Sequence, residues 1–150
     1  MKKLLILFFL LVVCAASSYS QSKFGLGIIL GEPTGLSAKL YLDNTSSVDA
    51  AIGWSNYRYS AMHIHADYLY NITKLSSEVP LYVGIGGRIK IKKIEKNQDT
   101  KLAVRIPVGI TYEPTSKPID LFIEIVPMMD LTPSTEFIWN AGAGIRYYFN

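Results

Sequence analysis

The chain has 150 residues, 15 Lys and Arg against 12 Asp and Glu, a formal charge of +3 and one cysteine. A balance this close to neutral offers no basic arm for nucleic acid. A single cysteine cannot build a disulfide framework, and the length suits one domain.

Lys2 and Lys3 precede an unbroken apolar run, Leu4 to Val13, which gives way to small and polar residues up to Ser20. This order of charged, apolar and small residues predicts a secretory signal peptide over 1–20, cleaved before Gln21. About ten apolar residues are too few for a membrane-spanning helix. Lipoprotein processing at Cys14 is the competing reading, with bulky Val13 standing where a small residue is expected. Cleavage after Ser20 removes Lys2, Lys3 and Cys14, leaving 13 basic against 12 acidic residues on a domain over 21–150.

Turn-forming residues then cut the chain into eight segments at approximately 24–31, 36–43, 48–57, 61–71, 81–92, 102–112, 119–129 and 135–149. None repeats its apolar residues every 3.6 positions, and β-branched and aromatic residues dominate, so all eight are predicted strands. Glu32-Pro33-Thr34-Gly35 joins the first two as a tight turn, with a surface contact site as the alternative use. It leads back into a strand rather than opening a helix, so Gly25, Gly27 and Gly31 do not form a phosphate-cradling loop. Lys92 to Lys101 (KKIEKNQDTK) reads as a solvated loop between the fifth and sixth strands.

Alternate residues of a strand occupy opposite faces. In the closing segment Phe137, Trp139, Ala141, Ala143, Ile145, Tyr147 and Phe149 form one list, wholly apolar. The other list is Glu136, Ile138, Asn140, Gly142, Gly144, Arg146 and Tyr148. The same split recurs in all eight strands. A solvated sheet would scatter Lys, Glu and Thr over its polar face, whereas here that face is glycine-rich with a few charges of both signs. Aromatics on the apolar face gather near strand ends: Phe24, Trp54, Tyr68, Tyr70, Tyr112, Phe137, Trp139, Tyr147 and Phe149. Interfacial girdles around an aliphatic band have that distribution. Hydrocarbon admits strands only when the sheet closes and no edge is left unpaired. The pattern predicts an all-β, eight-stranded antiparallel up-and-down transmembrane barrel. A soluble, exported lipocalin-like barrel is the competing fold.

The mature chain resembles the small eight-stranded bacterial outer-membrane barrels of the OmpA-transmembrane-domain and OmpX type, and in particular an uncharacterised outer-membrane β-barrel subgroup. The likeness lies in GIILGEPTGLSAKLYL (27–42), HADYLY (65–70), PLYVGIGGRIK (80–90), RIPVGITYE (105–113), IDLFIEIVPMMDLTPST (119–135) and GIRYYF (144–149). Gly144, Tyr147 and Phe149 are similar to the terminal signal read by the barrel-insertion machinery. That signal normally ends on the aromatic, and this chain adds Asn150. The resemblance implies a bacterial outer-membrane location, membrane lipid and the insertion machinery as partners, and both termini on the periplasmic side. The external loops are then 31–35, 56–60, 92–101 and 130–134, short for the class.

Alternation places Lys39, Asp49, His63, His65, Asp67, Arg88, Arg105, Asp120, Glu124, Glu136 and Arg146 on the lumen face. Charges sealed from bulk water must meet opposite charges. A static salt-bridged plug and a gated polar path are the two uses such a network can have. An eight-stranded interior is only wide enough for side chains, which favours the plug. Arg146 is expected to serve Asp120 and Glu124. His63, His65 and Asp67 share one face at a spacing that two imidazoles could use for a metal, a weak candidate beside hydrogen-bonded lumen histidines. Ser37, Ser55 and His63 supply the residue types of a hydrolase but no motif, so no enzyme and no cofactor is expected. The expected role is structural or surface-interacting, with a narrow pore or a small-ligand-binding barrel as the alternative.

Overall fold

A computed structural model describes residues 23–55, 61–94 and 97–149. Its strands are β1 (Phe24–Gly31), β2 (Thr34–Tyr41), β3 (Ser46–Ser55), β4 (Ala61–Ser76), β5 (Val79–Ile94), β6 (Asn97–Arg105), β7 (Val108–Tyr112), β8 (Ile119–Thr132) and β9 (Glu136–Phe149). All pairings are antiparallel, and the pairing of β4 with β5 closes the sheet into a ring. The predicted sixth strand, 102–112, is two elements. Pro107 has no N–H to give to the ladder, so pairing lapses between Arg105 and Val108. Both halves keep one register against β5, where Gly86 faces Arg105 and Val83 faces Val108, so β6 and β7 form one stave of eight.

Further boundaries differ from the sequence reading. β5 continues to Ile94 and β6 begins at Asn97, so most of the expected 92–101 loop is a paired hairpin in which Lys92 faces Asp99. β8 runs on to Thr132, which puts Asp130 in a strand rather than a loop. At the β1–β2 turn the left-handed residue is Gly31, with φ of 126°, and Gly35 already lies within β2. The Thr34 hydroxyl closes this turn by donating to the Gly31 carbonyl at 3.1 Å.

The ring is staggered. Direct partners followed from Arg146 through Gly27, Ser37, Ala51, His65, Arg88, Ala103 and Asp130 return to β9 at Glu136, ten residues from the start. Closure with such an offset requires strands tilted by about 40°. A row of partners therefore climbs from the end holding the termini to the end holding the β1–β2 and β8–β9 turns.

Exposure inverts the usual rule. Ile123, Trp139, Phe137 and Leu30 are 60, 65, 60 and 57% exposed, while Arg105, Arg146, Asp120 and Lys39 are at most 1% exposed. Three large lumen rings have a glycine as direct partner: Tyr148 over Gly25, Phe122 over Gly144 and Tyr82 over Gly109. A Cβ on any of those glycines would lie within 2.7 Å of the ring. The ring takes the space its neighbour leaves empty, which explains the glycine-rich lists.

The β2–β3 turn is held by Asp43. Its carboxylate accepts from the Ser46 hydroxyl, from the backbone of Thr45 and Ser46 at 2.7 and 2.8 Å, and from the Thr45 hydroxyl at 2.8 Å. These donors, Ser46 Oγ foremost, hold the exposed carboxyl well below the usual carboxylate range. A depressed carboxyl stabilises the fold above its unfolded pKa of about 3.9, and that contribution fades as pH falls towards the folded value. Asp43→Ala should therefore be slightly less stable than wild type at pH 6, with the gap narrowing at pH 2.5. Urea midpoints at the two pH values check this, and a gap independent of pH would contradict it.

Candidate functional site in the barrel lumen

Polar side chains in the interior come from every stave except β1, which contributes Ile29 and glycines. Near the termini, Arg146 Nε donates to both oxygens of Asp120 at 3.1 and 3.2 Å, and its Nη1 donates to Asp49 Oδ2 at 2.6 Å. The guanidinium lies 4.0 Å over the Phe122 ring, and Tyr148 donates to Asp120 at 2.6 Å. Midway, Arg105 Nε donates to both oxygens of Asp67 at 3.0 Å, with Glu124 3.6 Å from its Nη2. Tyr82 donates to Glu124 at 3.1 Å. Towards the loop end, Arg88 donates to Asp130 at 2.5 Å and Lys101 donates to the same carboxylate at 3.2 Å.

These bonds follow a rule set by the register. Asp67, Gly86 and Arg105 are successive partners on three adjacent staves, so the ion pair closes over a glycine. Glu124, Gly109 and Tyr82 repeat the arrangement, and Asp130, Ala103 and Arg88 repeat it with alanine. Arg146 departs from this rule: its own row runs through Gly27 and Ser37 to Ala51, and it reaches past Ser37, whose Oγ is 3.5 Å from Nη1, to Asp49, the partner of Lys39. Arg suits these spans because its planar fork serves two carboxylates at once.

The structure places the residues assigned to the lumen face as follows. Lys39, Asp49, His63, His65, Asp67, Arg88, Arg105, Asp120, Glu124 and Arg146 are all at least 95% buried. Glu136 is not: its side chain is 62% exposed at the rim, 3.9 Å from Lys101, because the stagger lifts the start of β9 to the mouth. Arg146 engages Asp49 rather than Glu124, and Glu124 goes to Arg105 and Tyr82. Lys39 lies 4.6 Å from the Tyr41 ring centroid and 5.6 Å from that of Tyr82. Asp130, 1% exposed, was missed. It continues the even-numbered list Asp120, Phe122, Glu124, Val126 and Met128, so extending that count past Pro127 would have found it.

The weak metal candidate changes membership. Asp49, His65 and Asp67 bring one ligand atom each within 4.8 Å of one another, and His63 is not among them. His65 Nε2 stands 4.0 Å from Asp49 and 3.9 Å from Asp67. Both carboxylates are already engaged by guanidinium groups, whose charge would oppose a cation there. Of the serines considered for hydrolysis, Ser37 is buried beside Arg146, and the side chain of Ser55 lies outside the described residues. Gly144 lies under Phe122, while Tyr147 and Phe149 sit on the outward face with ring centroids 5.2 Å apart.

At the termini end the 113–118 turn folds towards the lumen mouth. Thr115 donates its amide and hydroxyl to Glu78 at 2.8 and 2.9 Å, holding that carboxyl below its usual range. Tyr41 donates to Glu113, and a cavity of about 470 Å³ opens between Tyr41, Tyr148 and the turn.

A family model described as "Protein of unknown function (DUF3996)" matches residues 15–149. The chain belongs to that family. No curated protein matches it. Its fold is similar to the N-terminal β-barrel domain of Pseudomonas aeruginosa OprF, with a TM-score of 0.68 at 15% identity over 85% of this chain and 96% of that one. It is also similar to a major outer membrane protein of Thermus thermophilus, with a TM-score of 0.57 at 11% identity over 85% and 99% of the two chains. Neisserial surface protein A gives 0.56 at 16% identity over 85% and 94%. This member of the family therefore has the fold of the small eight-stranded outer-membrane barrels.

Proposed function

We propose that the chain is an integral barrel of the bacterial outer membrane whose lumen is closed by its own side chains, with a structural or surface-interacting role. The observation that carries this reading is the tiered ion-pair ladder: Arg146 with Asp49 and Asp120, Arg105 with Asp67, and Arg88 with Asp130. Tyr82 and Phe122 pack against these pairs, and Tyr148 stands beside Asp120 at the end nearer the termini. To pass such tiers an ion would have to part buried, bonded charges.

The membrane placement is supported by the outward face. Trp139 and Phe149 are ten residues apart on β9, about 33 Å along a strand rising about 3.3 Å per residue. Tilted by about 40°, that span covers about 25 Å of depth, the height of an outer-membrane apolar band. In this reading residues 1–20 direct export, the closing strand engages the insertion machinery through Gly144, Tyr147 and Phe149, and the termini face the periplasm. An epitope placed at the β5–β6 connection, residues 95–96, should then be labelled on intact cells; labelling only after permeabilisation would invert the topology.

Planar-bilayer recording tests the closed lumen. The barrel should insert, migrate differently on gels before and after boiling, and yield no conductance steps above the bare-bilayer baseline. Stable open steps would replace the plug with a pore.

A further inference from the structure

The ion-pair ladder leaves one band of the lumen unbalanced. Among the described residues, His63 Nδ1 and Nε2, His65 Nδ1, Arg88 Nε and Arg105 Nη1 are buried without a hydrogen-bond partner. They are neighbours: His65 and Arg88 are direct partners across β4 and β5, as are His63 and Lys90. His63, 0% exposed, is within electrostatic reach of Lys90, Arg88, His65 and Arg105. Among the described residues, the titratable side chains between the ion pairs in that band, His63, His65, Arg88 and Lys90, are all basic. The nearby carboxylates are engaged on its borders: Asp67 and Asp49, 3.9 and 4.0 Å from His65 Nε2, accept from Arg105 and Arg146 below, and Asp130 accepts from Arg88 and Lys101 above. Glu32 acts on Arg88 and Lys90 from the β1–β2 turn. Pro33, from the same turn, is fully buried against Gly53, the direct partner of His63, and roofs the band.

Buried polar atoms in native interiors have partners, and a concentration of orphans calls for water or an ion. Water can accept one or two of these hydrogens but leaves like charges facing each other in a medium that screens them poorly. An anion accepts several donors at once and offsets the charge. We infer that this band, between Arg105 and Lys90, holds one small inorganic anion of chloride size, bounded by His63, His65 and Arg88. The interior of an eight-stranded barrel has no room for a larger group between its side chains. The inference rests on the inward polar face alone, and holds whether or not the lumen conducts.

The test uses the barrel refolded in a non-ionic detergent, unfolded at constant ionic strength in sodium chloride, bromide, gluconate or sulfate. Chloride and bromide should raise the unfolding midpoint over gluconate and saturate as a single site. Crystals grown in bromide should show an anomalous peak within hydrogen-bond reach of His63 and Arg88. His63→Leu should abolish the halide dependence. Lys90→Gln, at a half-buried position, should raise the half-saturating halide concentration several-fold, and serves if the first variant does not fold. Equal midpoints in chloride and gluconate, or a bromide peak elsewhere, would put water on these nitrogens and overturn the inference. Sulfate acting as strongly as chloride would place the ion at the rim lysines, and would overturn it too.

Discussion

Arg146→Ala should lower the stability of the refolded barrel by about 3–5 kcal/mol, the cost of leaving a buried ion pair's partner uncompensated. The side chain is fully buried and binds two carboxylates, Asp120 and Asp49, from opposite sides of the lumen. Truncation leaves both acids without their guanidinium and takes away the cation packed on Phe122. Lys39 is the nearest substitute in kind, but it is a point charge held among tyrosine rings and cannot serve two acids in the same geometry. Tyr147, the next residue, is half exposed on the outward face, where Phe offers the same ring. Tyr147→Phe should change stability by less than about 0.5 kcal/mol. Urea unfolding from detergent or lipid reads both values, and two variants that unfold alike would refute the assigned faces of β9.

Gly86→Ala and Gly87→Ala should differ as sharply, although the positions are adjacent. A Cβ at Gly86 would sit 2.0 Å from Asp67 Oδ1 and 2.2 Å from the Ala66 carbonyl oxygen. The carboxylate would have to leave Arg105, and the backbone oxygen cannot move without spreading β4 from β5. Overpacking and loss of the bridge together should cost about 3 kcal/mol or more. At Gly87 a Cβ points outward and meets only the Ala103 carbonyl oxygen at 3.8 Å. That substitution should fall within about 0.5 kcal/mol of wild type. Equal losses at both positions would mean that Gly86 serves strand flexibility, and that the bridge does not need the gap.

The period-2 split carried most of the fold, because burial in this barrel depends on the face alone and a strand's face repeats every second residue. Of the eleven residues that split puts on the inward face, ten are buried in the structure, beside glycines that leave them room. What it could not supply was height. Glu136 obeys the alternation yet lies at the rim, since its level is set by the stagger of the whole ring. The same stagger decides that Arg146 meets Asp49 three staves away and that Arg105, rather than Arg146, takes Glu124. Pairings between non-adjacent strands depend on register, and one-strand patterns contain no register. Asp130 was missed for a simpler reason: the sequence reading ends the seventh strand at 129 and gives 130–134 to an external loop, whereas β8 runs on to Thr132.

In the proposed membrane barrel, β9 turns its even-numbered residues to a closed lumen and its odd-numbered residues to lipid. Cys14 is the chain's one cysteine, so variants of residues 21–150 with one cysteine introduced between 137 and 149 can carry one spin label each. In liposomes, power-saturation measurements should give high accessibility to oxygen at 139, 141, 143, 145 and 147. Positions 142, 144 and 146 should be protected from both oxygen and a water-soluble nickel reagent. Nickel accessibility at the even positions would show an open, aqueous lumen, and oxygen accessibility without alternation would contradict the barrel's faces altogether.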